Sequence, residues 1–409
     1  MVHRASKITR RCAIVGMGSS IPLSYWVTGY LVELWRGAGP LECRREPIRA
    51  QPVPMSRLTV GSEAVRRAIL AAAPPPALPK YPISVLTHAV ECWGKTARFE
   101  KLQFLNRDLR ADFCGAALRA LTEESEYRRL AQKDLQVLLV PSQFGVLVLS
   151  VLDSGFGQRF GSPHVGNVLC AFAESGVSAN LPLEIAGRGS FSVKDIITDE
   201  AARVTASSEL EWSAVGLSAY LRASGWRNRF REAVSFDMIT KALCERSPGS
   251  GPCQGTHTPY SLAWLLNLHG QHAIELSGRN VEAAKSYLRS CSSVLEETQL
   301  NDGGWTLNWH RKLSNTSTGS TPSLGSSILD VVTVTGHHLD WMGIAAPEVR
   351  PPDHILSHAV ELLVRVMPEL RAAVEADWHA FPPMSHAARA LMRLTGISAN
   401  EVLRDFADG

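Results

Sequence analysis

A succession of amphipathic helical stripes from about residue 83 onward constrains the fold of this chain most. Between residues 84 and 99 the apolar side chains recur at the i, i+3, i+4, i+7 spacing that places them on one face of a helix. Comparable stripes follow at about 103–121, 124–138, 161–175, 209–224, 236–245, 258–276, 280–298, 324–344, 353–372 and 385–394. The pattern predicts an all-α domain over residues 83–395, assembled from helical hairpins.

Two kinds of helix alternate along this region. Residues 258–268 and 328–335 are rich in small and apolar residues all round, whereas 280–298 and 358–372 are strongly amphipathic. An inner layer buried on all sides and an outer layer facing water require these two patterns, so an α/α toroid is the predicted architecture. The apolar runs at 135–140 and 144–152 lack the alternation of strands, and we interpret them as core helix. The patterns Ser192 to Asp195 and Ser398 to Glu401 predict capping boxes at two helix starts.

The first 55 residues form a different region. An uncharged stretch at 12–32 follows Lys7, Arg10 and Arg11 and precedes a segment rich in proline and arginine. Its length suits a membrane signal or anchor, which predicts a membrane-anchored or exported protein. Its polar residues favour the alternative, an unstructured extension of a cytoplasmic protein. In both cases we expect residues 1–55 to be removable and to pack little against the helical domain.

Composition excludes several classes of protein. The formal net charge is only +3 over 409 residues, and no run of basic residues interleaves with aromatics in the helical region, which argues against a nucleic-acid-binding surface. The eight cysteines never form a Cys-x-x-Cys pair, so a disulfide framework is disfavoured. Phosphate-binding loops, His-Glu-x-x-His helices and Gly-x-Ser-x-Gly elbows are missing from the sequence.

Three short segments carry the candidate chemistry: Cys253 to His257, Asp302 to Trp305 and His337 to Trp341. The ends of parallel inner helices gather at one mouth of a ring, so we expect the three segments to share one cavity. Cys253 and His257 are candidate ligands of a metal ion, and zinc is the candidate cofactor because thiolate and imidazole are its usual ligands. The alternatives are a cysteine–histidine nucleophile pair, or a buried cysteine beside a histidine bonded to a backbone carbonyl.

The candidate catalytic residues are His257, Asp302, His338, Asp340 and Glu211, with His257 as the central polar group. An aspartate orients a neighbouring imidazole and raises its basicity, and two carboxyl groups across a cavity can act as an acid/base couple. Each residue also has a structural interpretation: a tight turn for Asp302, a favourable helix dipole for Glu211, and core packing for the histidines. Candidate ligand-binding residues are Trp305, Trp309, Trp341 and Tyr260, which are equally typical of a core.

One of these segments resembles a known repeat. Leu295 to Gln299 followed by Asp302 to Trp305 is similar to the repeat that closes helix hairpins in squalene-hopene cyclases and protein prenyltransferases. Cys253 to Leu266 is similar to the glycine-rich entry to an inner helix of those (α/α)6 toroids. The pairing of Cys-x-Gly-Thr-His with Thr-Gly-His-His-Leu-Asp-Trp also resembles an uncharacterised bacterial branch of toroid proteins. The resemblance implies a terpenoid cyclase-like or prenyltransferase-like toroid.

The sequence departs from those enzymes at their catalytic motifs. It has no Asp-x-Asp-Asp cluster, and no aspartate stands two residues before Cys253. The resemblance therefore does not carry over the cyclase or prenyltransferase activities, since one fold hosts unrelated chemistries. The functional hypothesis is an enzyme-like toroid whose polar, aromatic-lined cavity acts on or binds a small-molecule ligand: an isoprenoid, a lipid or a glycan. The alternative is a non-catalytic binding or structural toroid of the cell envelope, with membrane contact through residues 12–32.

Overall fold

Helices dominate the structure, as the sequence predicts. The computed structural model describes residues 41–57, 59–75, 80–99, 112–131, 137–150, 162–311 and 327–407. The α-helices in these ranges are α1 (Ser62–Ala71), α2 (Ile83–Trp93), α3 (Phe113–Thr122), α4 (Glu124–Leu130), α5 (Asn167–Glu174), α6 (Val193–Arg203), α7 (Leu210–Tyr220), α8 (Phe236–Cys244), α9 (His257–Gly270), α10 (Gly278–Thr298), α11 (Ile328–Met342), α12 (Asp353–Val366), α13 (Arg371–Ala376), α14 (Phe381–Thr395) and α15 (Ala399–Ala407). Short 3-10 helices span Pro252–Gly255, Pro347–Val349 and Trp378–Ala380.

Six of the helices, the central helices, contact one another in a closed cycle. In order around the cycle they are α2, α5, α7, α9, α11 and α14, and α14 in turn contacts α2. Every residue of α7 is buried, as expected for a helix with neighbours on all sides. A glycine allows a close approach of α11 and α14, since a Cβ atom on Gly336 of α11 would lie 2.8 Å from the backbone nitrogen of Ala387 in α14. The six helices therefore form one continuous set of packed neighbours.

Six further helices flank the cycle. α3 packs on α2, α6 on α7, α8 and α10 on α9, α12 on α11, and α1 on α14. α10 illustrates the pattern of this layer, because its buried apolar residues Ala284, Leu288, Cys291 and Leu295 are three or four positions apart and form one stripe. The amphipathic stretches 280–298 and 358–372 thus belong to flanking helices, whereas the apolar stretches 258–268 and 328–335 belong to central helices.

Three small antiparallel hairpins interrupt the helices. They pair β1 (Leu139–Pro141) with β2 (Val146–Val148), β3 (Pro182–Leu183) with β4 (Phe191–Ser192), and β5 (Gly225–Arg227) with β6 (Ala233–Ser235). The interpretation of 135–140 and 144–152 as core helix is therefore wrong for the strand residues of the first pair. A turn joins them, in which the Ser142 hydroxyl accepts hydrogen bonds from the backbone N–H groups of Phe144 and Gly145, at 3.0 and 3.1 Å. A side-chain-bonded turn of this kind favours a hairpin.

Residues 41–55 pack along the helical domain. The backbone N–H groups of Arg44 and Ile48 donate to the carbonyls of Tyr220 and Ala219, and Met55 donates to Leu394. The expectation that residues 1–55 pack little is therefore wrong for 41–55, whose backbone groups find partners at helix ends. Residues 1–40, including the stretch at 12–32, lie outside the described residues. Among the helices that the structure describes, none has the length and hydropathy needed to cross a membrane.

Candidate functional site

A strained loop leads into the candidate site. Cys253 and Gln254 both have left-handed backbone conformations, with φ of 49° and 59°. Gly255 follows at φ 75°, and a Cβ atom there would lie 2.7 Å from the backbone of Gly249. The Trp309 indole N–H donates to the Gln254 carbonyl at 3.0 Å and holds the loop in place. Consecutive non-glycine residues in this conformation cost free energy, and such strain concentrates at functional sites.

Glu211 fixes the other side of this loop. It is fully buried at the start of α7, forms an ion pair with Arg246 and accepts a hydrogen bond from the Thr258 hydroxyl at 3.0 Å. The Ser261 hydroxyl donates to the Glu211 carbonyl at 2.8 Å, which ties α7 to α9. These contacts give Glu211 a positioning task at the entrance to α9.

Four central helices each supply a histidine to one cluster, the histidine layer: His88 of α2, His257 of α9, His337 of α11 and His386 of α14. The ring centroids of His337 and His386 are 3.8 Å apart, those of His257 and His337 are 4.9 Å apart, and those of His88 and His386 are also 4.9 Å apart. Trp212 of α7 covers His257, with 3.9 Å between the ring centroids. Four imidazoles from separate helices therefore meet at the centre of the cycle.

Two of these histidines have unsatisfied ring nitrogens. His337 Nδ1 lies 2.7 Å from the Thr333 carbonyl, so it carries the proton and leaves a lone pair on Nε2. Within the described residues, neither His337 Nε2 nor either ring nitrogen of His257 has a hydrogen-bond partner, although all three are buried. One ligand atom from each of Cys253, His257 and His337 lies within 4.8 Å of the other two. Cys253 is exposed, so this trio reaches the surface.

The other two histidines already satisfy each other. Arg389 Nη2, which can only donate, lies 3.3 Å from His386 Nδ1 and thereby assigns the His386 proton to Nε2. His386 Nε2 donates to His88 Nε2 at 3.1 Å, and His88 Nδ1 donates to the Ser84 carbonyl at 2.5 Å. This chain of hydrogen bonds leaves His88 and His386 without a free lone pair.

Burial favours the neutral form of three imidazoles of the histidine layer, those of His88, His257 and His386. Desolvation lowers the pKa of His88 to about 3, and it lowers the pKa values of His257 and His386 well below the usual range. The positive charge of Arg389 lowers all three pKa values further. Neutral imidazole is the form that binds metal ions.

A layer of charged residues, the charged layer, lies one helical turn after the histidines. Asp340 accepts hydrogen bonds from Arg389 Nε at 2.9 Å and Arg393 Nη1 at 2.6 Å. Glu174 accepts from the same two guanidinium groups, at 2.5 and 3.0 Å, and Arg393 also donates to the Tyr260 hydroxyl at 3.1 Å. The two arginines thus bridge two buried carboxylates. Asp340 orients Arg389 and Arg393 rather than either histidine on its own helix.

His338 lies apart from the histidine layer. It is fully buried among tryptophans, with its ring centroid 4.4 Å from that of Trp309 and 5.8 Å from that of Trp305, and its Nδ1 accepts a hydrogen bond from Trp341 Nε1 at 3.2 Å. Adjacent helical residues point in different directions, and it is His337 that faces His257. Asp302 is exposed in a turn, where its carboxylate accepts a hydrogen bond from the Gly304 N–H at 3.2 Å.

The structure thus joins only part of the predicted site. It brings Cys253, His257 and the 337–341 segment together, with Tyr260 and Asp340 in the charged layer, whereas Asp302 belongs to a turn. Sequence reasoning missed His88, Glu91, Glu174, His386, Arg389 and Arg393. The available signal was a histidine followed three residues later by a charged or phenolic residue in four central helices: His88 and Glu91, His257 and Tyr260, His337 and Asp340, His386 and Arg389. Comparison with protein-family models, curated proteins and solved structures found no match to this chain.

Proposed function

We propose that this protein is an α/α toroid and a metal-dependent enzyme, with a divalent transition-metal ion bound by Cys253, His257 and His337. The closed cycle of six central helices with flanking partners supports the toroid. The observation that carries the metal proposal is the set of three buried ring nitrogens without partners beside the Cys253 thiol.

The energetics of the unsatisfied nitrogens favour a ligand. A buried polar atom without a partner costs about 1–3 kcal/mol, and both His257 and His337 contribute such an atom to the trio with Cys253. A metal ion would satisfy one nitrogen of each ring, because imidazole lone pairs and a thiolate are the ligand types that zinc-class ions prefer, and the second His257 nitrogen would carry the ring proton. Ligand atoms on one tetrahedral zinc ion lie roughly 3.3–3.8 Å apart, as bond lengths of about 2.0–2.3 Å require. The trio, within 4.8 Å, comes near this spacing.

Three protein ligands point to catalysis rather than structural support. Structural zinc sites have four protein ligands, whereas catalytic sites have three and leave a position for water or substrate. A bound ion of this class polarises a carbonyl group or lowers the pKa of bound water to about 7. Cys253 is the exposed member of the trio, so substrate would approach from its side. For the substrate we retain the isoprenoid, lipid or glycan classes of the functional hypothesis.

Metal analysis of the purified full-length protein, reconstituted with zinc and then desalted, tests the proposal. We expect about one zinc per chain in the wild type, and loss of that zinc in His257→Gln and His337→Gln. His338→Gln is the matched control, because it alters the neighbouring buried histidine, whose ring lies among tryptophans, and it should retain zinc. A wild type that holds no zinc, or a His337→Gln variant that holds as much as the wild type, contradicts the proposal.

Cobalt substitution separates an enzyme from a structural metal protein. Cobalt bound to the trio should show a thiolate charge-transfer band that Cys253→Ser abolishes. Added azide should change the cobalt spectrum, because an open coordination position accepts an anion. A cobalt spectrum that does not respond to azide indicates a closed site and favours the non-catalytic binding or structural alternative.

A further inference from the structure

A second pocket, the Glu91 cleft, lies on the other side of the charged layer. It has a volume of about 520 Å³, and its walls come from the end of α2, the end of α5, Met392 of α14 and the segment Glu46 to Arg49. Sites for small organic molecules have volumes of about 300–1,000 Å³. The cleft therefore has the size of a small-molecule site, and it is far too large for a single ion.

The cleft has two buried carboxyl groups in its lining. The side chains of Glu91 and Glu174 are only 4% and 3% exposed. Both Glu174 oxygens have partners, since Oε2 accepts from Arg389 and Arg393 and Oε1 accepts from the Cys170 thiol at 3.4 Å. Glu91 Oε2 lies 3.6 Å from Arg389 Nη1, whereas Glu91 Oε1 has no hydrogen-bond partner among the described residues. Of the two buried carboxyl groups in the cleft lining, Glu91 is thus the one with an unpartnered oxygen in the described residues.

The charges around this oxygen do not balance. Three carboxyl groups, those of Glu91, Glu174 and Asp340, surround two guanidinium groups, those of Arg389 and Arg393. With all five groups ionised the cluster carries one excess negative charge, which is costly in a buried site. Either a proton on Glu91 or a cation in the cleft removes this excess.

We propose that the Glu91 cleft binds a small organic molecule through its primary ammonium group, with Glu91 as the carboxylate partner. A calcium ion needs six to eight oxygen ligands, whereas the two buried carboxyl groups of the cleft have a single oxygen without a partner in the described residues. A guanidinium binds both oxygens of a carboxylate side by side, and here Arg389 already faces one of them. An ammonium group donates single, separately directed hydrogen bonds and fits one free oxygen. Met392, Trp93 and Pro47 give the cleft apolar wall for the carbon skeleton.

Binding should be linked to proton release. Burial, together with the nearby charges of Glu174 and Asp340, raises the pKa of Glu91 to about 8, while Arg389 and Arg393 act in the opposite direction. Cys92, next in the chain, faces the same groups and is neutral at this pH, because burial raises its pKa strongly. An ammonium group pairs with the ionised carboxylate, so at pH 7 the ligand displaces the Glu91 proton. Affinity should therefore increase as the pH rises from 6 to about 8.

Titration calorimetry with n-butylammonium tests whether the Glu91 cleft binds an ammonium group. The comparison ligands are n-butanol, the uncharged isostere, and L-norvaline, an amino acid of similar length. A ligand this small should bind with a Kd on the order of 1 mM. We expect n-butylammonium to bind and n-butanol to fail, with proton release revealed by buffers of different ionisation enthalpy. Tighter binding of norvaline than of n-butylammonium would identify an amino-acid ligand whose carboxylate meets Lys95 or Arg49 at the cleft wall.

Glu91→Gln should weaken n-butylammonium binding at least tenfold, whereas Glu46→Gln, which alters an exposed carboxylate of the same cleft, should not. The proton release is measured on the wild type, so the proposal does not depend on how the Glu91 variant folds. Equal binding of n-butylammonium and n-butanol, wild-type binding without proton release, or no binding of either amine overturns the proposal. Zinc content is not a readout here, so the outcome is independent of the metal site.

Discussion

Replacing Glu91 by glutamine should raise the free energy of unfolding at pH 7, although the substitution alters a network of buried charges. The Glu91 pKa is raised from its ordinary value of 4.5 to about 8, with burial as the largest cause. In the native protein at pH 7 the carboxyl group therefore keeps its proton, whereas in the unfolded chain it loses it. Glutamine resembles the protonated carboxyl in shape and has no proton to lose.

The magnitude follows from proton linkage. The unfolded chain binds fewer protons than the native protein between pH 4.5 and about 8, so wild-type stability falls as the pH rises through that window. Each pH unit contributes about 1.36 kcal/mol, and pH 7 lies 2.5 units above 4.5, which gives a stabilisation by Glu91→Gln of at most about 3 kcal/mol. At pH 4, where both states hold the proton, the two proteins should have nearly equal free energies of unfolding.

Urea unfolding, followed by far-ultraviolet circular dichroism, measures the free energy of unfolding of the wild type and of Glu91→Gln at pH 4 and at pH 7. Glu174→Gln is the matched control, because the Glu174 carboxylate accepts hydrogen bonds from Arg389 and Arg393. Breaking a buried ion pair costs about 3–5 kcal/mol, so this variant should be less stable at pH 7. If Glu91→Gln were destabilising at pH 7 and close to neutral at pH 4, Glu91 would be an ionised partner of Arg389, and the assignment of a native-state proton would be wrong.

Two further substitutions separate packing from metal binding. His338→Ala should lower the free energy of unfolding by about 2–4 kcal/mol, since it leaves a cavity and removes the acceptor of the Trp341 indole N–H. The zinc content per folded chain should stay unchanged. A loss of zinc as large as that of His337→Gln would place His338 in the metal site. Gly255→Ala should lower the free energy of unfolding by about 2 kcal/mol or more, because alanine is strained at φ 75° and its Cβ would lie 2.7 Å from the Gly249 backbone. It should also weaken zinc binding, by displacing Cys253, and a competition titration with a chelator measures that change.

Helix periodicity and capping chemistry were sufficient to predict much of the fold. α10 occupies Gly278–Thr298 against a predicted 280–298, and Ser398 and Glu401 form the predicted capping box, with Ser398 N donating to Glu401 Oε2 at 2.6 Å and Glu401 N to Ser398 Oγ at 3.2 Å. These features depend on residues three or four positions apart. The β1–β2 hairpin escaped prediction because short apolar runs fit helix or strand, and its turn bonds decided the outcome.

The candidate site was harder to predict, because its members are distant in sequence. Cys253, His257 and His337 stand out in the sequence, beside glycines and in a histidine pair. His88 and His386 are single histidines within amphipathic helices and resemble ordinary partly buried residues. Only the cycle of helices brings them within 3.1 Å of each other, a contact over 298 positions. The choice between His337 and His338 depended on the rotation of α11, which periodicity does not fix to within one residue.

The two layers have a common geometric cause, and it connects the charges to the metal site. A helix rises about 1.5 Å per residue, so a side chain three positions after a histidine lies about 4.5 Å further along and on nearly the same face. In each of the four helices the charged or phenolic residue comes three positions after the histidine. The histidines therefore form one layer, and the charged or phenolic residues form the next layer. Arg389 balances Asp340 and Glu174, and its charge adds to burial, the larger cause, in lowering the pKa values of His88, His257 and His386. Burial and the charge of Arg389 therefore both favour the unprotonated form of His257, which is the condition that a metal ion bound to it requires.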